Sequence, residues 1–133
     1  MKKVNAIDVI LVVVTALFFV GSLFVFGPCG PKEDGSYMTC HWAGNAVSGI
    51  AAVMTVTALI HLFVPDDRIK AGLSISVVPT AVLAALIPGR LIGLCMMNDM
   101  RCHSVMTPAV MVFSAVIVIA AVVDAVYRIR RTK

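Results

Sequence analysis

Four apolar runs, each about as long as a bilayer is thick, limit what this chain can fold into more than any other feature. They cover residues 7–26, 43–64, 69–87 and 105–127. Each is close to the ~20 residues that cross a ~30 Å hydrocarbon core at ~1.5 Å per residue. Within lipid a segment has to satisfy its own backbone, so runs of this length are helices. The expected fold is therefore all-α: a polytopic membrane protein, a four-helix transmembrane bundle of two tandem helical hairpins. With 133 residues the chain has the length of one domain, so residues 1–133 are taken as a single integral membrane domain. A composition of 60% hydrophobic and 14% charged residues excludes an ordinary soluble domain. The net charge of +4 is spread over loops and ends with no basic face, which argues against nucleic acid as a partner.

Lys2-Lys3 ahead of the first run gives it the look of a signal peptide, and Gly27-Pro28-Cys29 that of a lipoprotein cleavage site. The run exceeds the about 7–15 residues of a signal core, and Pro28 is a poor neighbour for cleavage. A retained helix is expected.

Orientation follows from the basic residues. With four spans, both ends of the chain share a side with the short connection at 65–70. That side holds Lys2, Lys3, Arg68, Lys70, Arg128, Arg130, Arg131 and Lys133; the other holds Lys32, Arg90 and Arg101, which accounts for all 11. The positive-inside rule then places the protein in the cell membrane with cytoplasmic termini and extracytoplasmic cysteine loops.

Within the spans, Pro79 should kink the third helix, which neighbouring helices can tolerate. Asp8 and Asp124 lie near span ends and are expected at the interface, within reach of headgroups, the alternative being a paired or proton-relaying carboxylate. His61 is expected to be interfacial or hydrogen-bonded to a neighbour rather than a ligand. Asn45, Thr55, Thr57 and Thr80 read as interhelical glue, and Gly44, Ser48 and Ala52, four apart, as a small-residue stripe for close helix packing. Tyr37 and Trp42 flank the outer interface. Pro65 should stop the second helix and Asp66 or Asp67 cap the third, with so short a connection forcing antiparallel neighbours. Thr107-Pro108 looks like an N-cap and first helical residue, and residues 128–133 like a basic tail suited to a cytoplasmic helix end and to anionic headgroups.

One motif occurs twice between the runs. Gly27-Pro-Cys29 leads to Met38-Thr-Cys40-His41, and Gly93-Leu-Cys95 to Met100-Arg-Cys102-His103. All 4 cysteines lie in these copies. Two copies in the same orientation imply an internal repeat related by an axis along the membrane normal. These segments, with Trp42 and Ile92-Gly-Leu-Cys95-Met96, resemble an uncharacterised family of small four-helix prokaryotic membrane proteins, the DUF4418 type. The resemblance covers nearly the whole chain and brings no activity or substrate with it. The partners it implies are exporter-type ABC transporter permeases.

Three readings of the cysteine loops stay open. Outside the cell, Cys29, Cys40, Cys95 and Cys102 would form two disulfides that staple a cap over the bundle. Of the three connectivities, Cys29–Cys40 with Cys95–Cys102 closes the shortest loops and is favoured. A two-fold axis would instead bring Cys29 to Cys95 or Cys40 to Cys102. Alternatively, the cysteines with Met38, Met96, Met97, Met100, His41 and His103 form a soft-metal or haem set, although the cysteine spacing is not that of a metal knuckle. Lastly, two exterior cysteine pairs on four helices are the plan of a membrane thiol-disulfide oxidoreductase, with His41, His103 and Arg101 next to cysteines as redox-modulating cations. No phosphate loop, Ser-His-Asp order or zinc-protease motif is present. The expectation is a small accessory or structural subunit, without catalytic residues, resident metal or cofactor, whose partners are the lipid bilayer and other membrane proteins.

Overall fold

A computed structural model describes residues 5–24, 35, 39–88, 90–91 and 105–133; in the first turn of the second helix only the backbone of residues 39 and 40 is described. Four helices account for nearly all of it: α1 (Ala6–Phe24), α2 (Thr39–Phe63), α3 (Asp67–Leu86) and α4 (Thr107–Thr132). All four are long and apolar enough to span a membrane.

Helix neighbours are set by sequence order. α1 packs on α2 and α3 on α4, while α1·α4 and α2·α3 contacts close the ring. Contacts at one end join the first turn of α1, the last turn of α2, the first two turns of α3 and the last turns of α4. The helices therefore run up, down, up and down.

Each helix presents one seam to the interior, at alternating steps of three and four residues. In α1 it is Asp8, Leu11, Thr15, Phe18 and Ser22; in α2 it is Ala43, Val47, Ala51, Met54, Ala58 and His61. In α3 it is Lys70, Ser74, Val77, Ala81 and Ala84, and in α4 it is Val110, Ser114, Ile117, Ala121, Asp124 and Arg128. This spacing keeps a stripe turned to its neighbours along nearly straight helices. Alanines dominate the α2 and α3 seams and let those backbones approach, while Phe18 fills the middle and stacks on Phe113 at 5.6 Å between ring centroids. Thr55 Oγ1 donates to the Thr15 carbonyl at 3.2 Å as well as to its own helix, tying α2 to α1. The outward faces are apolar too, with Leu17, Val53, Val112 and Ile119 exposed.

The starts of α2 and α4 depart from expectation, while the cap of α3 is one of those expected. α2 begins at Thr39, so Cys40, His41 and Trp42 belong to its first turn. Asp66 caps α3 by accepting from the Arg68 N–H at 3.0 Å, as one of the two expected aspartates should. Thr107 is the first residue of α4 rather than its cap, with Pro108 beside it in the first turn. Pro79 removes a donor from α3, yet the helix runs on through it to Leu86.

The basic tail is the end of α4, helical as far as Thr132, because nothing there breaks the helix and basic side chains favour its negative C-terminal pole. Arg130 and Arg131 are exposed, but Arg128 is turned inward.

Candidate functional site

Continuing the apolar seams toward the end that carries both termini turns them polar on every helix at once. Asp8 from α1, His61 from α2, Lys70 and Ser74 from α3, and Asp124 and Arg128 from α4 are all buried there, none more than 5% exposed. Asp8 and Asp124 are fully buried, which overturns their expected place at the interface. The physical reason is direction. Both sit near helix ends, but on the seam, and a side chain on the seam enters the bundle whatever its depth.

Arg128 is the hub. Its Nε donates to Asp124 Oδ1 at 3.0 Å and to Oδ2 at 3.1 Å, its Nη2 donates to Asp8 Oδ1, and its Nη1 donates to Asp67 Oδ1 at 2.5 Å. A planar guanidinium spreads five fixed donors over three nitrogens and so reaches three carboxylates in different directions, whereas an ammonium holds its three donors on one nitrogen. Lys70 Nζ adds a bond to the remaining Asp8 oxygen at 3.0 Å. Asp67, at the start of α3, is the half-exposed member, with 41% of its side chain accessible.

On the other side of Asp124 lie Ser74 and His61. Ser74 Oγ donates to Asp124 Oδ2, and His61 Nε2 lies 3.0 Å from both the Ser74 oxygen and Asp124 Oδ2. The one hydroxyl hydrogen goes to the carboxylate, so Nε2 faces two acceptors and must carry the ring hydrogen. The other nitrogen, Nδ1, is 3.7 Å from Asp8 Oδ1 and has no hydrogen-bond partner. The expectation that His61 bonds a neighbour holds; the neighbours are Asp124 and Ser74.

Ligand atoms of Asp8, His61 and Asp124 fall within 4.8 Å of one another, close enough for a metal ion. The donor set does not suit one. Lys70 and Arg128 already lie on both carboxylates and supply the positive charge that an ion would bring. An ion-pair network is the better description.

The sequence-expected site residues stand apart from this cluster. Cys29, Met38, Cys95, Met96, Met97, Met100, Arg101, Cys102 and His103 lie outside the described residues, and Cys40 is placed by its backbone alone, in the first turn of α2. His41 is half-buried there, with Nε2 3.2 Å from Asn45 Nδ2 and its ring edge-on to the exposed Trp42. Twenty residues of helix separate His41 from His61, roughly 30 Å. Gly44 is buried, while Ser48 and Ala52 are half-buried on the flank of the α2 seam.

Fold and cluster together define a polytopic membrane bundle cross-linked by buried charge at one end. The chain belongs to a family described as a domain of unknown function, DUF4418, whose model matches residues 11–127. That range takes in His61, Lys70, Ser74 and Asp124; Asp8 and Arg128 fall just outside its two edges. No curated protein and no solved structure matches the chain.

Proposed function

We propose that this chain is a small accessory subunit of a larger membrane assembly, with an ionic lock at the end bearing its termini and a disulfide-stapled cap at the other. The observation that carries the reading is the network itself. It joins all four helices at one end, and its carboxylates and cations bond chiefly to one another. Such an end is a fixed point, and the helix faces around it offer apolar surface to lipid and to foreign helices. Exporter-type ABC permeases are the proposed partners, on the family resemblance. Cytoplasmic placement of the locked end rests on the charge split. With Lys70 and Arg128 withdrawn into the lock, the remaining basic residues of the sequence still favour that side, Lys2, Lys3, Arg68, Arg130, Arg131 and Lys133 against Lys32, Arg90 and Arg101.

The lock also supports the proposed duplication. Asp8 pairs with Lys70, 62 positions on, and His61 with Asp124, 63 positions on. Met38-Thr-Cys40-His41 is followed by Met100-Arg-Cys102-His103 at the same interval of 62. Asp8 and Lys70 are thus equivalent positions of the two halves, as expected beside an axis relating them, while His61 and Asp124 are one residue off that interval.

Purification from native membrane under mild detergent tests the subunit reading. A stoichiometric membrane partner is expected, and Ser48→Leu separates two uses of the small-residue stripe. Loss of stability would place the stripe within the bundle; loss of co-purification alone would give it to the partner. A partner-free protein carrying bound quinone, copper or haem would overturn the subunit reading in favour of redox or metal handling.

A further inference from the structure

Between α3 and α4, on the half of the bundle away from the lock, lies a cleft of about 490 Å³. It opens on the outward faces, where Val82, Leu86, Met111 and Ala115 line it and are exposed. Its walls are apolar except for Arg90 and Ser114. Hydroxyls in these helices commonly donate to a carbonyl three or four residues back, as at Thr15, Ser22, Thr55, Thr57, Ser76 and Thr80. Ser114 departs from that habit: it is 2% exposed, and its Oγ bonds nothing among the described residues. Arg90 is exposed, and no carboxylate among the described residues pairs with it. The two groups are close in depth. Counted from the bonded pair Ser74 and Asp124, Leu86 lies about 18 Å along the bundle and Ser114 about 15 Å, at ~1.5 Å per residue. The hydroxyl therefore sits within about one turn of the end of α3, which Arg90 follows directly.

We propose that this cleft binds one anionic phospholipid. The phosphate pairs with the Arg90 guanidinium, whose fork of donors matches two phosphate oxygens. An oxygen linking chain to glycerol, which lies deeper than the phosphate, accepts from Ser114 Oγ. The chain then follows the apolar valley between the two helices. A second cleft of about 460 Å³, lined by Ile75, Val78, Pro79, Val122 and Val126, carries that valley on toward the lock. An apolar helix from another protein could cover the same walls. It would leave the guanidinium without an anion and the buried hydroxyl without an acceptor, at the cost an unmade hydrogen bond carries in lipid. The charge and the hydroxyl therefore select the lipid. This site is separate from the lock and does not require the subunit reading.

Native mass spectrometry of the full chain, released from detergent micelles and titrated with phosphatidylglycerol, tests it. Arg90→Gln should weaken binding about tenfold or more, the effect of losing one charged hydrogen-bonded contact. Wild type should prefer phosphatidylglycerol to phosphatidylcholine of the same chains, whose choline offsets the phosphate charge, and Arg90→Gln should lose that preference. Ser114→Ala should weaken binding several-fold. Ala115→Trp sets a ring into the cleft from an exposed position, so it should abolish the lipid-bound species while circular dichroism shows the helices intact. Equal binding of phosphatidylglycerol to wild type and Arg90→Gln overturns the proposal. So does binding that survives Ala115→Trp; if that variant instead loses a co-purifying membrane protein, the cleft belongs to a foreign helix. Glycerol phosphate binding as tightly as the lipid would also overturn it, assigning the site to a soluble phosphate.

Discussion

Replacing Arg128 with methionine tests whether the lock is sealed from water. The side chain keeps its approximate length, and its donors to Asp8, Asp67 and Asp124 disappear. Adding the lost bonds one by one, at ~1.5–3 kcal/mol for each charged hydrogen bond, would overcount. Asp8 retains Lys70, and Asp124 retains Ser74 and His61. What remains is a buried cluster with one cation removed, for which ~3–5 kcal/mol is the usual cost. At ~1.4 kcal/mol per decade, the folded-to-unfolded ratio should fall by two to four orders of magnitude. Unfolding by sodium dodecyl sulfate in mixed micelles, followed by circular dichroism, measures this directly. Arg128→Lys should cost less, because it keeps the charge and loses only the fork that reaches several carboxylates. A loss below ~1 kcal/mol for Arg128→Met, the level of exposed ion pairs, would refute the argument. It would mean that water reaches Asp8 and Asp124 and that the lock contributes little.

Phe18 tests the apolar part of the same interior. It is fully buried and stacks on Phe113, so Phe18→Ala should cost ~3–5 kcal/mol in the same unfolding assay, and a change below ~1 kcal/mol would show that the seam does not pack as described. A membrane-impermeant thiol reagent, applied to intact cells after reduction, should label Cys29 or Cys102; labelling only after lysis would reverse the proposed orientation. Non-reducing peptide mapping should find Cys29 joined to Cys40 and Cys95 to Cys102. A peptide cross-linking the two loops would replace the local pairing with one that ties the two halves together.

The fold was legible because its main determinant is length. Four apolar runs with turn formers between them are difficult to read any other way, and the helices fall within a few residues of the expected spans. The lock was not legible from the same signal. These helices are apolar on all sides, so hydrophobicity does not mark which face turns inward. Arg128 illustrates the failure. Beside Arg130, Arg131 and Lys133 it looks like one more interfacial cation, and only its place four residues after Asp124 sets it apart. A usable signal was present in the steps of three and four residues. Leu11, Thr15 and Phe18 extrapolate back to Asp8; Ile117 and Ala121 extrapolate forward to Asp124 and Arg128; Met54 and Ala58 lead to His61. Charges in phase with small or apolar seam residues are buried charges, and buried charges need partners from other helices.

On the proposed duplication, the lock also shows why two diverged halves serve better than two identical ones. Beside an axis relating the halves, equivalent positions approach each other. Identical halves would therefore set aspartate against aspartate at positions 8 and 70. Like charges forced together in a membrane interior cannot both stay ionised. The chain instead sets Asp8 against Lys70 and His61 against Asp124, and each pair is within bonding distance at 3.0 Å. Arg128 then crosses between the pairs, holding Asp8 with one arm of its guanidinium and Asp124 with another atom of the same group. Complementary divergence at one pair of equivalent positions, joined by Arg128 to the His61–Asp124 pair, turns what would be a repulsive contact into a polar attachment among the described helices.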